Sequence, residues 1–443
     1  MEGNSNFKSI YTAIFSINYF FQGIAQSLYA VIVPIFLFDY VGSIDGPALS
    51  LMFTIVLTPF AIKFLYGMLS DKLSFKKLGR RKPWVIGPIS LSAFIWIIIQ
   101  LFISPNNALF LFIIAGVILF LGIAMADTAI DGLILDLCPK ERLGRVQGIC
   151  WSFRSVGTIA GGPLIVAILL FTNIQNIFIL YGIILVLSSF LILLVKETKI
   201  VEKVNIKKNI KQIFGKGKNW KVFIFALFIS IVDGVIFTLI SLYIIILQPD
   251  LGLDMIDGVI ELKALQKSKE LYEINAFISV IIGIGVIVGA IIGGRIADLK
   301  SRKKGVYSSL IITTVSFLLF LIPVQYIGNV HTPYIILLIF AGIVGSTNGW
   351  RKSAFSAVIG QISTQYPEAD STYFATCNSF TNGGTMLGLS ITAILLNALQ
   401  GFDVYMTFSI IFLFMAIVSN ISLIPFMLMN PKEYEIVERD ADK

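Results

Sequence analysis

The sequence predicts an all-α membrane protein: twelve transmembrane helices in two pseudo-symmetric six-helix bundles, with both termini cytoplasmic. Three observations carry that reading. Of the 443 residues, 56% are apolar and only 14% are charged, against about 25% charged in an ordinary soluble protein. The apolar residues fall into runs long enough to cross a hydrocarbon core, which takes about 20 helical residues. A glycine–aspartate motif followed by a basic cluster then occurs twice, about 227 residues apart. The mean hydropathy of +0.87 agrees.

Taken in order, the spans are read at 10–38, 47–69, 84–103, 108–136, 143–171, 175–195, 220–247, 273–296, 306–327, 333–362, 372–398 and 403–429. They divide the chain into an N-terminal half (1–195), a basic cytoplasmic linker (196–219), a C-terminal half (220–430) and a cytoplasmic tail (431–443). Basic residues orient the spans. Lys72, Lys76, Lys77, Arg80, Arg81 and Lys82 follow span 2, and Lys140, Arg142 and Arg145 follow span 4. The linker from Lys196 to Lys221 follows span 6, and Arg295, Lys300, Arg302, Lys303 and Lys304 follow span 8. The opposite side is poor in them: Asp39 and Asp45 follow span 1, and Asp403 precedes span 12. The formal charge of +8 is therefore mostly the positive-inside signature of a cell-membrane protein and not a nucleic-acid footprint. The linker also suits contact with anionic lipid.

Scarce residue types exclude other classes. Cys138, Cys150 and Cys377 lie scattered in apolar runs and form no disulfide framework. One histidine, His331, cannot build a histidine metal centre, and no cofactor is implied. The first helix has no cleavage pattern and exceeds a signal peptide's apolar core, so it is expected to be retained.

The repeat has a physical reading. Gly67 and Asp71 precede Gly79, Arg80, Arg81 and Lys82; Gly294 and Asp298 precede Arg302, Lys303 and Lys304. Glycine lets a neighbouring helix approach. Aspartate at a helix end can accept from exposed amides or a neighbouring cation. Gly67, Asp71, Arg80, Arg81, Gly294, Asp298 and Arg302 are thus expected to gate, latching one conformation shut. Pro139 and Pro367 end spans 4 and 10 at nearly the same offset, and Gln22-Gly23 and Asp233-Gly234 sit at similar depth in spans 1 and 7. Two related halves with a site at their pseudo-symmetric interface are the plan of a rocking transporter.

The doubled motif resembles the signature loop of the major facilitator superfamily, over essentially the whole chain. Pro59 to Lys63, Leu78 to Trp84, and Asp127-Thr-Ala-Ile-Asp131-Gly132 followed by Glu141-Arg142, Gly144-Arg145 and Arg154 narrow it. Together they look like the branch of AmpG-type muropeptide permeases, acetyl-CoA transporters and bacteriochlorophyll-delivery proteins. The Gly-Arg-Arg-Lys-Pro-Trp stretch is also similar to glycoside–cation symporters and plant-type sucrose carriers. The resemblance implies the major facilitator fold, with spans 3, 6, 9 and 12 facing lipid. Ser301 stands where that family often has glycine, which would weaken the second latch.

Ionisable groups at membrane depth cost roughly 2.5–3.5 kcal/mol each on insertion scales and mark function by default. Lys63, Asp127, Asp131, Arg154, Asp233, Arg351 and Lys352 fall in spans 2, 4, 5, 7 and 10, and none falls in spans 3, 6, 9 or 12. Spans 4 and 5 form a hairpin. Asp127 and Arg154 lie about equally far from its turn, at roughly 20 Å, so they are expected to pair. The pair either fastens the hairpin or opens when substrate or a proton arrives. Asp131 lies one turn along the same face. Asp233 has no cation within a turn on its own helix; it is either a proton carrier or the partner of Arg351 or Lys352. Lys63 either reaches the cytoplasmic interface or faces Asp131. Asp127, Asp131 and Asp233 are the candidates for ion coupling.

Polar stripes supply candidates for substrate binding. Asn18, Gln22, Gln26 and Tyr29 share one face of span 1, with Tyr19 beside them. Asn348 in span 10, and Asn378 and Asn382 in span 11, offer further amides. Arg154 offers a cation, and Trp151, about one turn earlier, a stacking surface. Each reads equally as helix–helix bonding or core packing.

Three functions compete. The first is a secondary transporter of a small polar solute (sugar, amino-sugar peptide or organic anion), monomeric, driven by proton or Na⁺, since the chain has no phosphate-binding loop. The second is a Mg²⁺-dependent enzyme using Asp127, Asp131 and Asp136. The third is a non-transporting assembly factor or receptor on the same fold. The first is favoured.

Overall fold

The structure, a computed structural model, describes residues 7–72, 79–138, 140–169, 171–197, 206–248, 253–256, 258–262, 268–299, 301–324, 327, 332–363, 365–366 and 370–435. The Asp71, Trp151 and Asp298 side chains, and all of His331, lie outside that description.

Apart from one small sheet, the described chain is helical. The first half runs α1 (Ser9–Ser27), a π-helical turn at Leu28–Ile32, α2 (Val33–Val41), β1 (Ser43–Asp45), α3 (Gly46–Ala61) and α4 (Lys63–Lys72). It continues through α5 (Lys82–Ile98), α6 (Ala108–Leu137), α7 (Lys140–Leu169) and α8 (Ile174–Phe190). After α9 (Ile206–Phe214) come α10 (Gly217–Ile229), α11 (Asp233–Ile246), β2 (Leu253–Ile256), β3 (Val259–Leu262) and α12 (Ser268–Leu299). The chain ends with α13 (Arg302–Leu319), α14 (Thr332–Ser363), α15 (Asp370–Ala398), α16 (Val404–Val418), α17 (Leu423–Met427) and α18 (Pro431–Tyr434).

Among the described residues, eleven helices are long and apolar enough to cross a membrane. The exception among the twelve expected spans is the ninth. It forms α13, of 18 residues, whose first three are Arg302, Lys303 and Lys304. The expected linker contains a helix too. In α9, Ile213 is fully buried among Val222, Phe223 and Tyr373, and the rings of Phe214 and Phe223 lie 5.6 Å apart.

Four spans are interrupted among the described residues: span 12 by a 3-10 turn at Ser419–Ser422, and spans 1, 2 and 7 at Leu28–Ile32, Ile62 and Ser230–Val232. Pro34 has no N–H to give and its ring would strike the carbonyl four residues back; the π turn Leu28–Ile32 lies just before it. Pro59 sits inside α3, and the helix breaks at Ile62, immediately before Lys63. Span 7 breaks at Ser230–Val232, immediately before Asp233. Irregular backbone at membrane depth survives only where it is buried in protein or lines a cavity.

The chain forms two compact units, Met1–Val33 with Val56–Lys208, and Pro34–Ile55 with Asn209–Lys443. In the first, α1 packs on α7, α4 on α6, and α5 on α6 and α8. In the second, α10 and α11 pack on α15, α12 on α14, and α13 on α14 and α16. The two units thus repeat one set of helix pairings. The closest approaches need glycine. A Cβ on Gly157 would strike the Phe20 carbonyl, and one on Gly388 the Ile231 carbonyl. The motif glycines do not serve this purpose: a Cβ on Gly67 or Gly294 would meet Thr128 or Ser353 at an ordinary 3.4 or 3.6 Å.

The second unit also holds an antiparallel sheet, ordered β1-β3-β2. Its β2–β3 hairpin turns at Gly258, whose φ of +80° suits glycine.

Gly388→Leu should lower the thermal unfolding temperature in detergent by several degrees, because overpacking a tight contact costs about 1–3 kcal/mol. Gly383→Leu, with open space at its Cβ position, should leave it nearly unchanged.

Candidate functional site

In the first unit, buried charges converge from three helices. Asp127 on α6 is fully buried and accepts from Lys63 Nζ on α4 and, at 3.2 Å, from Arg154 Nη1 on α7. The hairpin arithmetic had paired Asp127 with Arg154; the break at Ile62 aims Lys63 at the same carboxylate. Neither the cytoplasmic interface nor Asp131 takes Lys63 as its ion-pair partner. Lys63 and Arg154 also lie over the Phe60 ring, at 5.2 and 5.6 Å from its centroid. Asp131 instead accepts from the Tyr19 hydroxyl on α1. Two cations and two carboxylates thus share one buried cluster.

The polar stripe on α1 divides. Asn18 donates to the Ser188 and Ile14 carbonyls, each at 3.0 Å, and so ties α1 to α8. Tyr29 donates to the Phe112 carbonyl. Gln26 Oε1 accepts from Thr158 at 3.3 Å. Gln22 differs: both of its amide atoms are buried without a hydrogen-bond partner among the described residues. A buried polar group left unmade is costly, and such groups are usually answered by water or a ligand.

In the second unit, Asp233 stands at the first position of α11, just past the break in span 7. A carboxylate there meets the positive end of the helix dipole. It accepts from Arg351 and, at 3.1 Å, from Asn348, while Lys352 lies 3.8 Å away. Arg351 is 1% exposed and also donates to Thr313 at 3.3 Å. Of the two alternatives for Asp233, the structure therefore realises the ion pair. The helix α14 runs on to Ser363, so Arg351 and Lys352 lie well inside it and not at a helix end. Asn378 and Asn382 lie half-buried, one turn apart on α15.

A second pair of sites joins helix ends. In the first unit the Glu197 carboxylate accepts from the amides of Arg80, Arg81 and Lys82 at 2.7, 3.2 and 2.9 Å. It thereby fills the N-terminus of α5. Gly79, with φ +91°, gives the chain its turn, and any Cβ there would meet that carboxylate. Arg80 reaches Asp136 at 2.6 Å; Arg81 reaches Asp136 at 3.3 Å and Ser70 at 2.8 Å. In the second unit Glu435 accepts from the Ser301 hydroxyl at 2.6 Å and from the amides of Arg302 and Lys303 at 3.1 and 2.9 Å. Arg302 Nη1 donates to the Tyr434 carbonyl at 2.6 Å. The serine expected to weaken this loop caps α13 and adds a bond to Glu435. Burial pushes the Glu435 carboxyl up, but the Ser301 hydroxyl, the two amides and the Arg302 charge hold it below its ordinary 4.5.

Sequence reading missed Glu197 and Glu435, although each follows the last span of its half. It took Asp136 for a possible metal ligand; the structure turns Asp136 to Arg80 and Arg81, Asp127 to Lys63 and Arg154, and Asp131 to Tyr19. No group of three His, Cys, Asp or Glu suited to a metal occurs among the described residues.

These features define a polytopic helical membrane protein with a buried ion cluster in each unit and a carboxylate clasp at the head of α5 and of α13. The chain belongs to the Major Facilitator Superfamily, whose family profile matches residues 15–265 and 262–443. It is 25% identical over 314 residues to the putative transporter AmpG 1 of Rickettsia conorii, covering 69% of this chain and 73% of that one. It is 28% identical over 150 residues to the probable folate-biopterin transporter 4 of Arabidopsis thaliana, covering 33% and 30%. Among solved structures, the nucleoside transporter NupG matches with a TM-score of 0.65 at 12% identity, over 95% of this chain and 98% of that one. A bacterial homologue of the human lysosomal transporter Spinster, inward-facing and unoccupied, matches with a TM-score of 0.63 at 13% identity, over 96% and 97%. The chain is thus a multi-pass transporter of this superfamily and not an enzyme, and the Mg²⁺ reading falls.

Asp127→Asn leaves Lys63 and Arg154 crowded without their carboxylate. Removing one partner of a buried pair costs about 3–5 kcal/mol, so the unfolding temperature should fall markedly. Lys63→Met added to it should recover much of the loss, because Arg154 can then turn to Asp131.

Glu435→Gln should destabilise at neutral pH. A lowered folded pKa contributes stability above the unfolded value, and this is lost as pH falls through the folded one. The gap between variant and native unfolding temperatures should therefore close as pH drops below about 4.5; a gap constant with pH would contradict it.

Proposed function

We propose that this protein is a secondary active transporter that moves a small polar solute, a sugar, amino-sugar peptide or organic anion, by alternating access coupled to protons or another cation. The buried cluster Lys63–Asp127–Arg154 beside Asp131–Tyr19 carries this reading. A fold held together by packing alone has no need of four charges and a phenol inside one bundle, and such groups are costly at membrane depth. The probable folate-biopterin transporter among the sequence relatives supports a polar, carboxylate-bearing cargo, and the resemblance to AmpG-type muropeptide permeases supports an amino-sugar one.

The roles follow from the partners. Asp127, held by two cations, stays ionised and sets the cluster. Asp131, answered by a neutral hydroxyl, is the group that takes the proton. Protonating it gives the cluster a net positive charge, ready for an anionic or strongly polar group. Gln22 offers its buried amide to the cargo, and Asn18, Gln26, Trp151 and Arg154 are the other binding groups of the first half; Asn348, Asn378 and Asn382 serve in the second half. Asp233 releases Arg351 during the cycle and is the coupling carboxylate of the second half.

Twelve spans complete this reading, with α13 as the ninth and both termini in the cytoplasm of a plasma-membrane protein. The halves 1–195 and 220–430 rock about the linker 196–219, with 431–443 as a tail. Gly67, Asp71, Arg80, Arg81, Gly294, Asp298 and Arg302 gate, with Glu197 and Glu435 as the carboxylates they release. The transporter works as a monomer in the bilayer.

Purified protein in proteoliposomes should accumulate a member of a radiolabelled panel (glucose, N-acetylglucosamine, anhydro-muropeptide, folate) under an imposed pH gradient, and a protonophore should abolish the accumulation. Asp131→Asn should lose gradient-driven accumulation at least ten-fold yet keep solute counterflow. No uptake of any member by the native chain would favour an assembly factor or receptor on the same fold.

A further inference from the structure

Residues 34–55 are the far ends of spans 1 and 2 with the turn between them. They pack within the second compact unit, whereas the remainder of both spans belongs to the first. A strand pairing fastens them there. Ser43, Ile44 and Asp45 of β1 lie opposite Glu261, Ile260 and Val259 of β3. The Gly46 amide donates to the Gly258 carbonyl at 2.8 Å, and the Ser50 hydroxyl to the Leu389 carbonyl at 2.8 Å. Ile44 and Ile260 are 5% and 1% exposed, so the pairing also seals an apolar contact.

Two further features bear on how permanent this fastening is. A strand of three residues is short against a usual five or six or so, so few bonds need break to free it. Both spans are also interrupted near the point where they change unit. The π turn Leu28–Ile32 ends one residue before the boundary at Val33 and Pro34, and Pro59 with the break at Ile62 follows closely on the boundary at Ile55 and Val56. Interrupted helices bend where the hydrogen-bond ladder is already broken, and such positions absorb the backbone change of a conformational step.

We propose that the β1–β3 pairing is a detachable latch. In the described conformation residues 34–55 are docked on the second unit. In the alternate one β1 leaves β3, and the outer ends of spans 1 and 2 swing about the π turn and the Ile62 break as one segment. This rests on the alternating-access reading above. The competing arrangement is a permanent strap, in which residues 34–55 never leave.

The test is hydrogen exchange in lipid nanodiscs, read by mass spectrometry, on the variant Ile44→Cys/Ile260→Cys. Directly opposed residues of an antiparallel pair have Cα atoms about 4.5–5.5 Å apart, within disulfide reach. The native Cys138, Cys150 and Cys377 are buried. The decisive segment is 46–55, away from the bridge itself. Oxidising the variant should slow exchange there at least ten-fold relative to the reduced form, and reductant should reverse it. Equal exchange in oxidised and reduced forms would establish the permanent strap and overturn the latch. The readout needs no solute. A chain that responds to oxidation but accumulates nothing keeps the latch and loses the transport reading. A chain that accumulates solute but shows no response keeps transport and loses the latch.

Discussion

The constraint on which the rest depends is the cost of a charge inside a bilayer. A carboxylate there must be ionised beside a cation or carry a proton, and the surrounding helices must be shaped to allow one of the two. Asp127 with Lys63 and Arg154, and Asp233 with Arg351, meet it by pairing across helices. The Lys63–Asp127 and Asp233–Arg351 pairs join helices that are not consecutive in the chain, so they also fix which helices meet. Asp131 meets the constraint differently, through a phenol.

The backbone is arranged around these groups. Lys63 follows a break and Asp233 opens a helical segment after another. A side chain at the head of a segment can be aimed independently of the helix before it. Glycine contacts then bring the neighbouring backbones close: Gly23 lies against the carbonyl of Arg154 itself, and Gly388 against Ile231 in the span 7 break. Away from the membrane the same economy of charge recurs in the Glu197 and Glu435 clasps, where one carboxylate answers several amides at a helix head.

Much of this was legible in the amino-acid sequence. Composition and apolar run length located the spans, because the bilayer imposes a minimum length on any helix that crosses it. The Asp127–Arg154 pair followed from counting residues on either side of one turn, since a helical hairpin has a fixed rise. The destination of Lys63 was not legible, because it follows the break at Ile62 and a broken helix loses the periodicity from which faces are read. Glu197 and Glu435 escaped because their partners are backbone amides, which have no letter in a sequence. Strands of three or four residues, such as β1 and β2, are too short for an alternation to register. The apolar stretch of α13 is shorter than that of the other spans because Arg302, Lys303 and Lys304 open the helix itself.

The central claim is that the buried cluster works in the cycle and does not merely fasten helices. Gradient-driven accumulation by the Lys63→Met/Asp127→Asn protein in proteoliposomes tests it most directly, because that pair of changes keeps the remaining Arg154 and Asp131 charges balanced. The account predicts a protein that stays folded and reconstitutes normally but accumulates solute at a small fraction of the native rate. Native accumulation with the native response to pH would show the cluster to be a fastening and nothing more.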